Sequence, residues 1–153
     1  MKEFDYSLDY KSLDFTNSNT KKLYRIGRGE QGVLLVRPYT EDICQYWRFK
    51  NETTARKSAV KIYEMFCSYS RDNDFIGMDM ARKFLEMGFT RARRYANHHD
   101  GKKYSQTGEV LPQSPEALTC EKARAARIFK EYRDIVAKDS KYVRMRKVWR
   151  SEE

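Results

Sequence analysis

From residue 51 onward the apolar residues recur at intervals of three and four, the spacing that lays side chains along one face of a helix. Asn51 stands where a capping side chain is needed, and Ala55, Ala59, Ile62, Phe66 and Tyr69 form a stripe running to about Ser70. The polar stretch 71–74 interrupts it, and Asp74 offers a second cap. Ile76, Met80, Phe84 and Met87 then repeat the spacing as far as Gly88, which reads as a helix terminator. A shorter helix is predicted from Thr90. The polar segment 98–113 reads as a connection, and Ser114-Pro115-Glu116 as a helix start with hydroxyl cap, proline and acid in order. Ala125, Phe129, Tyr132 and Val136 make that helix's stripe, and Asp139-Ser140 begins a last one through Tyr142, Met145 and Trp149.

The first third of the chain reads differently. Residues 1–22 show no sustained period, and Phe4, Tyr6, Tyr10 and Phe15 suggest an arm tacked onto the core. Over 23–49, LYRI and VLLV flank a glycine segment and end at Pro38, which predicts a β-hairpin, with ICQYWRF as a third short strand or an irregular aromatic segment. The expected fold class is therefore α+β in one domain: an arm (1–22), a hairpin region (23–49) and four to five helices (50–153).

The segment IGRGEQG at 26–32 spells G-x-G-x-x-G. In a dinucleotide-binding fold such a loop follows a strand and opens a helix whose N-terminus holds phosphate. Here VLLVRPY follows, so that context is missing, and the chain has no kinase-type partner motifs. A tight turn carrying Arg28 at its tip is the expectation.

Charge points to a polyanion. The 153 residues carry 31 Lys and Arg against 22 Asp and Glu, a formal charge of +9, concentrated in blocks at 21–50, 89–104 and 122–153. The middle block brings Arg91, Arg93, Arg94, Lys102 and Lys103 together with His98 and His99. On a helix from Thr90, Arg91, Arg94 and His98 would share one face, and Tyr95 and Tyr104 could stack on bases. His98-His99-Asp100 also allows a weak catalytic reading, with an imidazole as general acid or base. The last block, KYVRMRKVWR, could meet a polyanion or dock onto the acidic arm. No stretch has the roughly 20 apolar residues of a membrane span, and the N-terminus lacks the apolar core of a secretory signal. A cytoplasmic protein is expected. Cys44, Cys67 and Cys120 are odd in number and widely spaced, which fits reduced thiols, and no ligand spacing supports a metal or any other cofactor.

FDYSLDYKSLDF, YRIGRGEQGVLLVRPY, FIGMDMARKFLEMGFTRARRYANHHDGKKY and ARIFKEYRD together resemble a family of short proteins from bacteria and tailed phages that carries the description of a domain of unknown function. The resemblance implies no catalytic residues; it favours a cytoplasmic, phage-encoded protein. The leading expectation is a non-enzymatic nucleic-acid- or phosphate-binding accessory protein using Arg28, Arg91, Arg93, Arg94, Lys102 and Lys103. The alternatives are a small enzyme acting on a nucleotide or phosphorylated substrate through His98 or His99, and an interaction or virion-associated protein docking through aromatics that include Trp47 and Trp149.

Overall fold

The computed structural model describes residues 2–98, 102–115 and 120–153. Among these, the chain forms six α-helices: α1 (Ser18–Lys21), α2 (Tyr39–Cys44), α3 (Glu52–Arg71), α4 (Phe75–Asn97), α5 (Glu121–Lys138) and α6 (Ser140–Glu152). The only β pairing among the described residues is an isolated bridge between Tyr104 and Val110. The fold is all-helical, so the α+β expectation is overturned.

The centre is α4, whose residues from Phe75 to Leu85 are all buried. A stretch buried on every side must be surrounded, and α2, α3, α5 and α6 all pack against α4. Its start is local chemistry: the Asp74 carboxylate accepts from the Gly77 N–H at 3.1 Å. Asn51 caps α3 through Thr54 and Asp139 caps α6 through Tyr142, both at 2.9 Å, as the spacing predicts.

Gly88 does not end the helix, and no separate helix begins at Thr90. A Cβ at Gly88 would stand 2.4 Å from the Phe129 ring, so the glycine lets α5 close on α4 in mid-helix. Likewise Ser114 and Pro115 lie outside any helix; α5 starts at Glu121, and residues 116–119 are outside the described set.

The predicted hairpin over 23–49 is absent. Positive φ values at Gly27 (68°), Gly29 (54°) and Gly32 (77°) coil the backbone. The N–H groups of Gln31, Val33 and Leu35 bond carbonyls three residues back, at 3.1, 3.1 and 3.0 Å. Ile26, Val33 and Val36 are buried, but by a chain of turns. ICQYWRF is no strand either: α2 takes in its first residues and Trp47 packs on Phe49 and Phe84. The arm is fixed to the core as expected, through stacked Phe4 and Tyr10 and then Tyr10 and Phe15.

Candidate functional site

The glycine turn faces the core with its carbonyls. Arg82 on α4 donates to the Gly29 oxygen at 2.8 Å, Lys83 to the Gln31 oxygen at 2.6 Å, and Arg150 on α6 to the Gly27 oxygen at 2.8 Å. A phosphate loop needs inward N–H groups. This turn has the opposite polarity, and it packs Gly32 directly on the Phe4 ring.

Arg82 and Lys83 belong to a buried network centred on Asp79. The Asp79 Oδ1 accepts from Arg82 Nε at 2.9 Å and from the Tyr142 hydroxyl at 2.6 Å. Its Oδ2 accepts from the Tyr24 hydroxyl and lies 3.9 Å from Lys83 Nζ. The Lys83 ammonium also sits over the Phe4 and Tyr24 rings, at 5.0 and 4.9 Å. Burial works against the Asp79 carboxylate, but Arg82, Lys83 and the two hydroxyls outweigh it and hold the group at about 2. Burial pushes Lys83 down to about 7, with Asp79 pulling the other way. Charge inside a core is the exception. The one sequence signal for it is apolar residues all round α4, which force Asp79, Arg82 and Lys83 inward at i, i+3 and i+4. Buried and bonded to one another and to the turn carbonyls, these groups fix the turn.

Because the turn is fixed, so is the backbone position from which Arg28 projects on its outer side. Arg28 lines a groove of about 390 Å3 together with Arg91 from the second half of α4, and Tyr6, Leu34 and Met87 line it too. Glu30 shares this groove, and its carboxylate accepts from the Thr90 hydroxyl at 2.8 Å. Burial raises the Glu30 carboxyl above its ordinary value, against the pull of Thr90 and of Arg91 and Arg94. Thr90 belongs in turn to a second groove of about 360 Å3, where Arg93, Arg94, His98 and Lys103 meet over Phe89 and Leu111. The two grooves therefore adjoin across the Glu30 and Thr90 contact.

Five of the six predicted cations thus line these two recesses, and Lys102 is exposed on the segment beside them. Arg28 also pairs with Glu3 at 2.8 Å, but with both side chains more than half exposed this pair is easily exchanged. Arg93 donates to Asn97 at 3.1 Å. The expected shared face divides: Arg91 serves the first groove, Arg94 and His98 the second. His98 is only 7% exposed and its N–H closes α4 on the Arg94 carbonyl at 2.8 Å. His99 lies outside the described residues. Tyr95 packs against Phe49, with the Lys122 ammonium over its ring, and Tyr104 lies under Lys103; neither lines either of these two grooves. Trp149 lies outside both grooves, stacked on Phe75.

No helix among the described residues is long and apolar enough to cross a membrane. No curated protein and no solved structure matches the chain significantly. The family model described as Domain of unknown function (DUF4385) matches residues 5–152, and the chain belongs to that family.

Proposed function

We propose that the chain is a nucleic-acid- or phosphate-binding accessory protein whose contact surface is the paired grooves on the second half of α4. The observation that carries this reading is the meeting of Arg28 and Arg91 in one groove, with Arg93, Arg94 and Lys103 in the next. Guanidinium groups give forked donors suited to phosphate oxygens. The test is fluorescence anisotropy with labelled single- and double-stranded DNA and RNA at about 50 and about 200 mM salt. With all five cations on phosphates, log K falls against log salt with a slope of about −3.5 to −4.5. Arg28→Ala and Arg91→Ala each reduce that slope by about one. Binding that is absent, or insensitive to salt, overturns the proposal.

A second reading has one observation of its own: His98 meets Arg93 and Arg94 inside the second groove. There an imidazole could act as general base on water attacking a phosphodiester held by the arginines. Release of nitrophenol from bis(4-nitrophenyl) phosphate, lost in His98→Gln, supports it; no release above buffer sinks it.

A further inference from the structure

Away from the basic grooves, the N-terminal end of α4 and one side of α6 flank a half-open cavity of about 370 Å3. Arg144, Met145, Val148 and Trp149 sit at i, i+1, i+4 and i+5, which places them on one side of α6 as a wall. Phe75 and Ile76 face them at 4% and 1% exposure, so the floor of the cavity is the protein core itself. Trp149 is held in place twice: its Nε1–H donates to the Tyr24 carbonyl at 3.1 Å, and its ring stacks on Phe75 at 5.1 Å. The volume lies in the roughly 300–1,000 Å3 range that small molecules fill.

The lining carries two cations, Lys21 and Arg144, and one carboxylate, Asp74. Lys21, at the end of α1, and Arg144 both line the cavity, and among the described residues neither forms an ion pair. A second recess of about 300 Å3 shares Lys21 and Trp149 and adds Lys22 and Arg25. The nearby acids are largely committed to the fold. Asp74 accepts from the Gly77 N–H and from the Tyr39 hydroxyl, and Glu153 accepts from the backbone N–H groups of Lys2 and Ile26. Glu152 remains exposed in the second recess, which directs an anion toward the Lys21 and Arg144 side. A bare phosphate would find no donors on the apolar floor, and an uncharged hydrocarbon would leave the two cations unanswered.

We propose that this cavity binds a small aromatic anion, its ring laid against the apolar wall of Phe75, Ile76, Met145 and Trp149 and its carboxylate or phosphate placed on Lys21 and Arg144. The site shares no residue with the basic grooves and stands or falls without them.

Trp149 reports on it directly. The chain has two tryptophans, so a 15N-labelled sample gives two indole N–H resonances, and Trp47 packs elsewhere against Phe49 and Phe84. Titration with 2-naphthoate is expected to shift the Trp149 resonance and leave that of Trp47 in place. Lys21→Ala and Arg144→Ala each weaken binding about tenfold. Val148→Trp, at a position 53% exposed, fills the mouth and abolishes binding without unfolding the chain. Adenosine monophosphate binding more tightly than naphthoate, with the same residue dependence, assigns the acid as a phosphate; the reverse order assigns a carboxylate. The proposal is overturned if neither anion moves the Trp149 resonance, if uncharged 2-naphthalenemethanol binds as tightly as naphthoate, or if the two alanine variants bind unchanged.

Discussion

Replacing Lys83 by Met tests the buried network through its pH dependence. Methionine keeps most of the side-chain length against the Phe4 and Tyr24 rings and removes the titrating group. Burial lowers the Lys83 ammonium from its ordinary 10.5 to about 7. Between those values the unfolded chain holds a proton that the folded chain releases, so stability rises with pH, by up to about 1.4 kcal/mol per pH unit. Below about 7 the folded protein carries the full cost of a buried charge, whose upper limit over the whole interval is about 5 kcal/mol. Tyr24 and Tyr142 act in the opposite sense. Burial and Asp79 raise both, so they take stability away once unfolded tyrosines ionise above about 10. The clean window is therefore pH about 7 to about 9.5. Urea unfolding of both proteins across it should show the wild-type stability gaining up to about 3 kcal/mol relative to Lys83→Met. Groups common to the two proteins cancel in that difference. Parallel pH profiles would refute the reasoning, because they would mean that Lys83 titrates alike in the folded and unfolded chain.

The other predictions use the same unfolding assay. Gly88→Ala should destabilise by about 1–2 kcal/mol although alanine is the better helix former, because its Cβ would stand 2.4 Å from the Phe129 ring; a stabilised variant would show that the ring moves freely. Asp79→Asn strands Arg82 and Lys83 without their counter-charge and should cost about 3–5 kcal/mol. The wild-type carboxylate contributes stability above its ordinary 3.8 and loses it as pH falls through about 2, and Asp79→Asn should lack that acid-induced loss. Gly32→Ala should cost more than Gly29→Ala: both have positive φ, but only at Gly32 does a Cβ meet the Phe4 ring, at 2.0 Å, while Gly29 faces open space. Equal losses at the two positions would place the whole effect in the backbone.

What sequence reading caught was local. Asn51, Asp74 and Asp139 announce helix starts because a cap acts within three residues, and each accepts the N–H that its position implies. What it missed depends on partners distant in the chain. Ile26 and Val33 to Val36 look like strands because β-branched residues favour burial on a packed surface as much as extension; here burial is reached through turns. Gly88 looks like a terminator until Phe129 is known to need the space. Asp79, Arg82 and Lys83 look solvated, since charge usually is. Clustered charge made the basic face legible, and Arg28 belongs to it through a fold that brings the turn to α4. The α6 cavity was not legible at all, because Lys21 and Arg144 come from opposite ends of the chain and line one cavity only once it is folded.

The grip of Arg82, Lys83 and Arg150 on the glycine-turn carbonyls also sets how the molecule breathes. The first forty residues have little regular backbone pairing of their own, yet they cannot lift away without stranding three largely buried cations and the Tyr24 contact of Trp149. The N-terminal third and α6 should therefore open as one cooperative unit, seen as a common free energy for the slow hydrogen exchange of the Val33 and Leu35 amides and of the α6 helix amides. Through that coupling, the backbone that carries the surface arginine at the tip of a loop inherits the rigidity of the core.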